Sequence, residues 1–377
     1  RYFMKRKNIL IFAGNLRFGG GVAVASSLIK ELSLILKNED KNRLVYNLIV
    51  SSSVFSNLRS MNVDFSVFGS FVVKDYFGLS AIRQGIDRVI NNYDLVFVVF
   101  GPLYSIKKPK NLIVGFAQPW IIYTDSPAWA KLKIVERIKN KLKYYVQAKF
   151  FSRADVLVVE LPGVKQKLLS KGFAGKVKVV PGCVDSVFRN RHAWKDCNLT
   201  KYKKESLFYI GVISKNYAHK NLEFYGKVSQ ALNSKGIDNV KFCLTLDSEE
   251  FSSLGLESNP MFINVGPLSL DQCPDFYDKI DMVLFPTLLE CFSGVCVESL
   301  FMERPLIAFD YEFIRDICGD YPLYIDEGDY EECARVIQHA SVYGTITNCP
   351  NARFKAQVYG DSKRRANDYI ALIENSL

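Results

Sequence analysis

The run Asp281-Met-Val-Leu-Phe-Pro-Thr-Leu-Leu-Glu290-Cys-Phe-Ser-Gly-Val-Cys-Val-Glu298-Ser-Leu-Phe-Met-Glu-Arg-Pro305-Leu-Ile-Ala-Phe309 carries more structural information than any other part of the chain. Asp281–Phe285 is short, apolar and bounded by Pro286, which reads as a strand buried on both faces of a parallel sheet. Pro305–Phe309 reads the same way, and the segment between them has helical character. Strand, turn, helix, strand is the unit of an α/β sheet. Glu290 and Glu298 lie where the first strand hands over to the helix, with Ser293 and Gly294 between them. In open α/β sheets ligands dock at that corner, and a helix start offers partial positive charge to an anion. Carboxylates flanking such an N-terminus suit a sugar nucleotide, because its hydroxyls need acceptors and its diphosphate needs donors. Read more plainly, the two acids are a helix cap and a solvated helix residue.

The same alternation extends in both directions. Strands are expected at Asn8–Gly14, Leu44–Val50, Asp94–Phe100, Asn111–Phe116 and Ala154–Glu160. Between the first two, residues 21–36 place Val22, Ala25, Leu28, Ile29 and Leu32 on one helical face. A second, independent series starts near residue 207: strands at 207–211, 240–246, 261–265, 281–285 and 305–309, with a helix over 221–232. Two such series predict an α/β protein of two Rossmann-like, doubly wound domains facing a cleft. The hinge falls at Val179–Asp185 and the polar segment that follows, which puts the domains at 4–185 and 186–360. Residues 361–377 form a mostly polar terminal helix.

Composition narrows the function. The 377 residues are 49% hydrophobic and 23% charged, as in soluble globular proteins, and no uncharged apolar run is long enough to span a bilayer. A cytoplasmic setting follows, with room for peripheral attachment to the membrane. Nine cysteines and three histidines, with no Cys-x-x-Cys pair, argue against a zinc site and for reduced core thiols. The net charge of +10 calls for an anionic partner. Nucleic acid is disfavoured, since no helix-turn-helix, RNA-recognition or zinc motif is present.

Two further loops carry chemistry. Gly19-Gly20-Gly21 follows the first strand and opens a helix, so backbone can approach a ligand there, with Arg17 beside it. The spacing is not the dinucleotide fingerprint. Gly211-Val-Ile-Ser-Lys215-Asn-Tyr-Ala-His-Lys220 follows the first strand of the second series. Two cations beside a helix start can clamp a diphosphate and stabilise the charge that grows on a leaving phosphate.

These motifs resemble those of GT-B glycosyltransferases, specifically the retaining family 4 of the bacterial surface-polysaccharide type. The Glu290-x7-Glu298 segment is similar to the family's Glu-x7-Glu motif, with Cys291 and Ser293 at two common glycine positions. Lys215 stands where the family has Arg, and Lys220 at its Lys. The resemblance covers nearly the whole chain. It implies a catalytic set of Lys215, Lys220 and Glu290. It implies donor binding by Gly20, Gly21, Gly211, Lys215, Lys220, Gly266, Phe292, Ser293, Gly294, Val295 and Glu298, with Glu298 on the ribose and Glu290 on the donor sugar. The first domain becomes the acceptor side, the second the nucleotide-sugar side, and the terminal helix packs back on the first domain. On the acceptor side Arg17, Tyr104, Gln118, Trp120 and Tyr123 are the candidates. Gln118 stands at a common His position and cannot take a proton, but retaining enzymes of this fold are thought to need no protein base. No cofactor is expected. No metal is expected either, because the Asp-x-Asp pattern of the metal-dependent glycosyltransferase fold is missing.

The implied reaction moves a hexosyl unit from a nucleoside diphosphate sugar to a glycan acceptor, of the lipid-linked oligosaccharide kind used in O-antigen or capsule synthesis. A non-catalytic partner that binds sugar nucleotide or glycan is the alternative, and a sugar-nucleotide epimerase a weaker one. Residues 131–145 carry six cations and one acid, interleaved with Leu132, Ile134, Val135, Ile138 and Leu142. Such a helix can lie on an anionic membrane surface, or can be an amphipathic core helix with a basic solvent face.

Overall fold

The computed structural model describes residues 6–38, 43–173, 175–344 and 352–377. They form two compact units. One is drawn from Arg1–Thr124, Ile138–Gly182 and Asp361–Leu377, the other from Asp125–Arg137 and Cys183–Gly360. The boundaries expected from sequence differ in two respects: the second unit begins at Cys183 in place of 186, and residues 125–137 go with it. The contacts of residues 125–137 explain the second difference. Ser126 Oγ donates to the Leu288 carbonyl at 3.1 Å, and Lys131 pairs with Glu223.

The first unit holds seven parallel strands: β1 Lys7–Ala13, β2 Leu44–Val50, β3 Ser70–Val73, β4 Leu95–Val98, β5 Leu112–Gly115, β6 Val156–Val159 and β7 Lys176–Val179. Their order is β3-β2-β1-β4-β5-β6-β7. The central strands are apolar throughout because helices cover both faces of the sheet. The edge strands β3 and β7 were not expected from sequence. Ser-Phe-Val-Val is largely exposed, and Lys-Val-Lys-Val alternates charge with apolar residues, which keeps an unpaired edge from pairing with another chain.

The terminal helix Ser362–Glu374 is polar on one side only. Ala366, Tyr369, Ile370 and Ile373 are buried at helical spacing in the core of the first unit. Tyr369 packs on Phe97 of β4 with ring centroids 4.8 Å apart. Arg365 meets Glu160, just beyond β6, at 2.9 Å, both side chains almost fully buried.

The second unit holds six parallel strands: β8 Phe208–Val212, β9 Val240–Leu244, β10 Phe262–Asn264, β11 Met282–Phe285, β12 Leu306–Phe309 and β13 Leu323–Ile325, in the order β10-β9-β8-β11-β12-β13. The edge strand β13 is not among the strands expected from sequence. In both sheets the strand order reverses once, between β1 and β4 and between β8 and β11. Gly211 in β8 lets the helix Cys273–Lys279 lie close: a Cβ there would stand 2.7 Å from the Phe276 ring. Packing therefore accounts for this glycine, which sequence reading had assigned to donor contact. The eight described cysteines form no disulfide with one another, and all but Cys183 are buried.

Candidate functional site

In the second unit, the loops that leave β8 and β11 meet at the point where the strand order reverses. Such a crevice beyond the carboxyl ends of the strands is where open α/β sheets bind ligands. Two bonds tie the loops together. The Leu288 N–H donates to the His219 carbonyl at 2.8 Å, and the Thr287 hydroxyl shares its one proton between that oxygen, at 3.2 Å, and Glu290 Oε1. Asn221, at φ 53°, ends the short helix Ala218–Lys220 in the left-handed region that asparagine tolerates. That reversal sets the place of Lys220.

Lys220 Nζ forms an ion pair with Glu290 Oε1, and the Thr287 hydroxyl donates to the same oxygen at 3.0 Å. The two charged side chains are only 18% and 10% exposed, so desolvation offsets much of their attraction, but removing either partner strands a poorly solvated charge. The described hydrogen bonds of the Glu290 carboxylate fall on Oε1, leaving Oε2 to accept from a ligand hydroxyl. His219 sits one residue earlier. Burial pushes its imidazole down to about 4, opposed by the Glu290 charge and reinforced by Lys220. It is neutral at pH 7 and stacks against Tyr217 with centroids 5.6 Å apart.

The helix Gly294–Phe301 starts beyond Ser293, whose backbone is extended and whose side chain makes no capping bond. An uncapped first turn leaves N–H donors at the positive end of the helix for an anion. The N–H groups of Gly294 and Val295 belong to that turn, and Phe292 packs nearby on Tyr359 with ring centroids 6.0 Å apart. Glu298, one turn on, accepts from the buried Tyr277 hydroxyl at 2.8 Å. Burial raises its carboxyl to about 7; the Tyr277 bond opposes this and the Asp185 charge adds to it. Gly294 leaves room for this carboxylate, since a Cβ there would stand 3.3 Å from Glu298 Oε1. Gly266, in the loop after β10, adopts φ 83°, a conformation that favours glycine.

Lys215 is placed differently from expectation. Its Nζ lies 3.2 Å from Asp247 and 3.1 Å from Glu250, the two acids of the capping box that starts the helix Ser248–Ser253. Burial lowers its pKa, but the bonds to Glu250 and Asp247 outweigh this and leave it raised. Both lysines of the clamp inferred from sequence are therefore already matched by carboxylates.

At the corresponding point of the first unit Arg17 is charged, while Asn15, Tyr104, Gln118 and Gln147 are not. Asn15, just beyond β1, donates from Nδ2 to the Phe100 carbonyl at 2.8 Å and so links the loops after β1 and β4. Gly20 begins the helix Gly20–Asn38, and a Cβ at Gly20 would meet nothing within 4 Å, so packing leaves its surroundings open. At Gly21 a Cβ would make only ordinary contact with Leu16 and Phe100. Arg17 lies over the Phe77 ring at 4.0 Å. Gln118 donates to Gln147 Oε1 at 3.2 Å, and Tyr104 also bonds Gln147. Burial raises the Tyr104 pKa, and the Gln147 bond opposes that rise. Tyr123 lies beneath Lys167 at 5.0 Å.

Trp120 departs from expectation. It is 7% exposed and its ring stacks on Tyr144, centroids 5.9 Å apart and 6° from parallel. A ring so covered packs the unit and offers no face to a sugar. Asn15 and Gln147 escaped the sequence reading. Asn15 had the signal of a polar residue directly after the first strand. Gln147 is a polar residue on the otherwise aromatic inner face of its helix.

Away from these loops, Asp196, Cys197 and Asp275 bring metal-type ligand atoms within 4.8 Å of one another. Lys279 Nζ bonds both carboxylates, at 2.5 and 2.7 Å, so an ammonium group holds that cluster together.

Two doubly wound parallel α/β units with these strand orders are the GT-B fold. Solved structures agree over the whole chain. Anabaena HepE in complex with UDP and glucose superposes with a TM-score of 0.65 at 15% identity, covering 99% of this chain and 100% of that one. Sucrose-phosphate synthase from Thermosynechococcus elongatus gives 0.70 at 12%, covering 98% and 99%. A glycosyltransferase from Rickettsia africae gives 0.63 at 13%, covering 98% of each. No curated protein matches in sequence. Residues 204–341, most of the second unit, match the family model described as Glycosyl transferases group 1. That segment contains Lys215, Lys220, Glu290 and Glu298.

Proposed function

We propose that the protein is a retaining glycosyltransferase that moves a hexosyl unit from a uridine diphosphate sugar to a glycan hydroxyl. One observation carries the reading. The uncapped start of the helix Gly294–Phe301 lies between two partly buried carboxylates at the reversal point of the second sheet, with Lys220 bonded to one of them. The donor's diphosphate fits the helix tip and Lys220, its ribose hydroxyls fit Glu298, and its sugar hydroxyls fit the open oxygen of Glu290. The match of residues 204–341 to the group 1 model supports this assignment, and the UDP in the HepE complex favours uridine.

In the reaction the bond between the sugar C1 and the diphosphate oxygen breaks, and the acceptor oxygen bonds to C1 on the same face. The acceptor's proton passes to the departing phosphate oxygen. Lys220 and the helix N–H groups, fixed in advance, stabilise the charge that grows on that phosphate. Burial lowers the His219 pKa to about 4, which makes it a weak base, and it is given no proton-transfer role in this scheme. Asn15, Tyr104, Gln118 and Gln147, hydrogen-bonded in the first unit, include no base, which is consistent with a reaction that asks none of the protein. We assign the acceptor to lipid-linked oligosaccharides of a bacterial surface polysaccharide, and the donor chemistry to a metal-independent route through Lys220.

Thermal shift against UDP, GDP and dTDP sugars tests the donor, since a ligand that binds only the folded state raises apparent stability. A rise with one UDP sugar, together with slow release of UDP and of sugar with the donor's anomeric configuration, is the expected result. Binding without any hydrolysis or transfer would mean a non-catalytic binding partner. Inversion of sugar C2 in the recovered donor would mean an epimerase.

A further inference from the structure

We infer that the helix Ile134–Phe151 is a docking surface for an anionic lipid leaflet, and that its inner face ties this surface to the acceptor-side polar cluster. From Ile138 onward the helix belongs to the first unit. An α-helix on a soluble protein normally turns its apolar stripe inward. Here the reverse holds. Ile138, Leu142 and Tyr145, spaced four and three residues apart, form one stripe and are 64%, 65% and 61% exposed. The buried side of the helix is the opposite one, made by Tyr144, Gln147 and Phe151. Tyr144 stacks on Trp120, and Phe151 meets Phe116 edge-on with centroids 4.8 Å apart. Packing within the unit therefore gives the outer stripe no partner, and three large apolar side chains in a row face outward.

Charge states what would cover them. Lys139, Lys141, Lys143 and Lys149 are all exposed; Lys139, Lys141 and Lys149 border the stripe at helical spacing, Lys143 lies toward Tyr144 with Nζ 5.3 Å from its ring centroid, and this part of the helix carries no acid. Lys149 Nζ lies 5.3 Å from the Tyr145 ring centroid, an arrangement in which a long cationic side chain and an aromatic ring share an interface. An apolar stripe flanked by lysines matches the boundary between acyl chains and acidic headgroups. A protein partner would need a complementary acidic groove, whereas an anionic leaflet supplies both features at once. Among the described residues no helix is long and apolar enough to cross a membrane, so attachment would be interfacial.

The inner face gives the docking a consequence. Gln147 lies one turn from Tyr144, is 8% exposed, and bonds both Gln118 and Tyr104. One rigid helix thus carries the lipid-facing stripe outside and the acceptor-side hydrogen bonds inside. The surface does not depend on the donor assignment, and its test is separable from it.

The test uses the full chain with vesicles of phosphatidylcholine alone or with one third phosphatidylglycerol. The expected result is partition onto the anionic vesicles, weakening steeply with salt, with each lysine worth roughly five-fold. The variant Ile138→Asn/Leu142→Asn/Tyr145→Ser should lose partition by about ten-fold or more while its melting temperature and its shift with UDP stay unchanged. Lys139→Gln/Lys143→Gln should lose the preference for anionic vesicles but keep its fold. Wild-type protein that ignores anionic vesicles, or a triple variant that binds them as well as wild type, overturns the proposal. So does concentration-dependent dimerisation that the triple variant abolishes in the absence of any lipid binding, since the stripe would then be covered by a second copy.

Discussion

The two reversal points of the molecule are alike in topology and opposite in electrostatics. In the second unit the loops after β8 and β11 bring together Lys220, Glu290 and Glu298 at a helix start, all poorly exposed. In the first unit Asn15 links the loops after β1 and β4, Tyr104 and Gln118 both bond Gln147, and none of these four is charged at neutral pH; the cation Arg17 lies over the Phe77 ring. One architecture therefore supports two kinds of surface. The charged one suits a ligand whose own charge changes during reaction. The neutral one suits hydroxyls that need orientation and no ionisation. The contrast also says where substitution should hurt. A charge stranded in the second unit costs electrostatic stabilisation, while an amide lost in the first costs an ordinary hydrogen bond.

Replacing Lys220 should have the largest effect. Lys220→Ala removes the cation beside the departing phosphate and leaves Glu290 buried without its partner. Loss of one preorganised donor costs about 2–4 kcal/mol in turnover, roughly a hundred-fold to a thousand-fold. Single-turnover kinetics at saturating donor would measure it, and near-normal rates would remove Lys220 from the scheme. Glu290→Gln/Lys220→Met, which strands no charge, should recover thermal stability without recovering activity. A double variant as unstable as Lys220→Ala would mean that the pair matters mainly for folding.

Next comes the pH dependence of donor affinity. The carboxyl of Glu298 is raised to about 7 by burial, so near neutrality it is partly protonated. Only the anion accepts from two ribose hydroxyls. Affinity for UDP should therefore fall as pH drops through 7, by about ten-fold from one pH unit above that value to one unit below. Folding runs the other way. The buried charge destabilises the fold fully above pH 7, and the penalty is relieved as pH falls toward the ordinary carboxylate range. Calorimetric titration at several pH values would give the first slope. Glu298→Gln should bind more weakly and flatten the dependence, and a slope unchanged in that variant would move the titrating group elsewhere.

A smaller effect is expected in the neutral region. Gln147→Leu keeps the size of the side chain but removes its bonds to Gln118 and Tyr104. About 1 kcal/mol, roughly five-fold, should appear in the KM for acceptor, with donor affinity untouched. Gln147→Glu should restore part of the acceptor binding, because a carboxylate can still accept from both neighbours. If donor affinity and acceptor KM move together, Gln147 is a packing residue and the contrast between the two regions fails.

Much of this arrangement was legible in the amino-acid order. The central strands are apolar runs that parallel burial demands, so β1, β2, β4, β5, β6, β8, β9, β11 and β12 stand close to where the pattern put them, and β10 falls inside the expected 261–265. The short or edge strands β3, β7 and β13 were hidden, because exposure and brevity remove the apolar signal. The Glu290–Glu298 segment could be read because its spacing and small residues force a strand-to-helix corner. Trp120 could not. A tryptophan beside a strand end looks the same in sequence whether it faces a ligand or stacks on Tyr144. The helix Ile134–Phe151 shows the limit most clearly: its periodicity revealed an apolar stripe, but periodicity does not say which side faces the protein. Only the placement of Tyr144, Gln147 and Phe151 against the first unit shows that the stripe is outside.

Lys215 is where the smallest effect is expected. Motif spacing paired it with Lys220, yet its ammonium is held by Asp247 and Glu250, and 30% of its side chain is exposed. Solvent screens such a pair, and exposed ion pairs contribute about 0–1 kcal/mol. Lys215→Met should therefore leave the melting temperature nearly unchanged, because Asp247 and Glu250 keep their capping bonds to the helix Ser248–Ser253. Its donor affinity should drop by only a few-fold, since Lys215 must first leave two carboxylates to reach a phosphate and part of the Coulomb gain is cancelled. Asp247→Asn sharpens the point. It frees Lys215 from one acid, so UDP should bind slightly tighter than to wild type, and only when Lys215 is present. A Lys215→Met loss as large as that of Lys220→Ala would mean that the lysine leaves its acids on donor binding, and the clamp would then have two working cations after all.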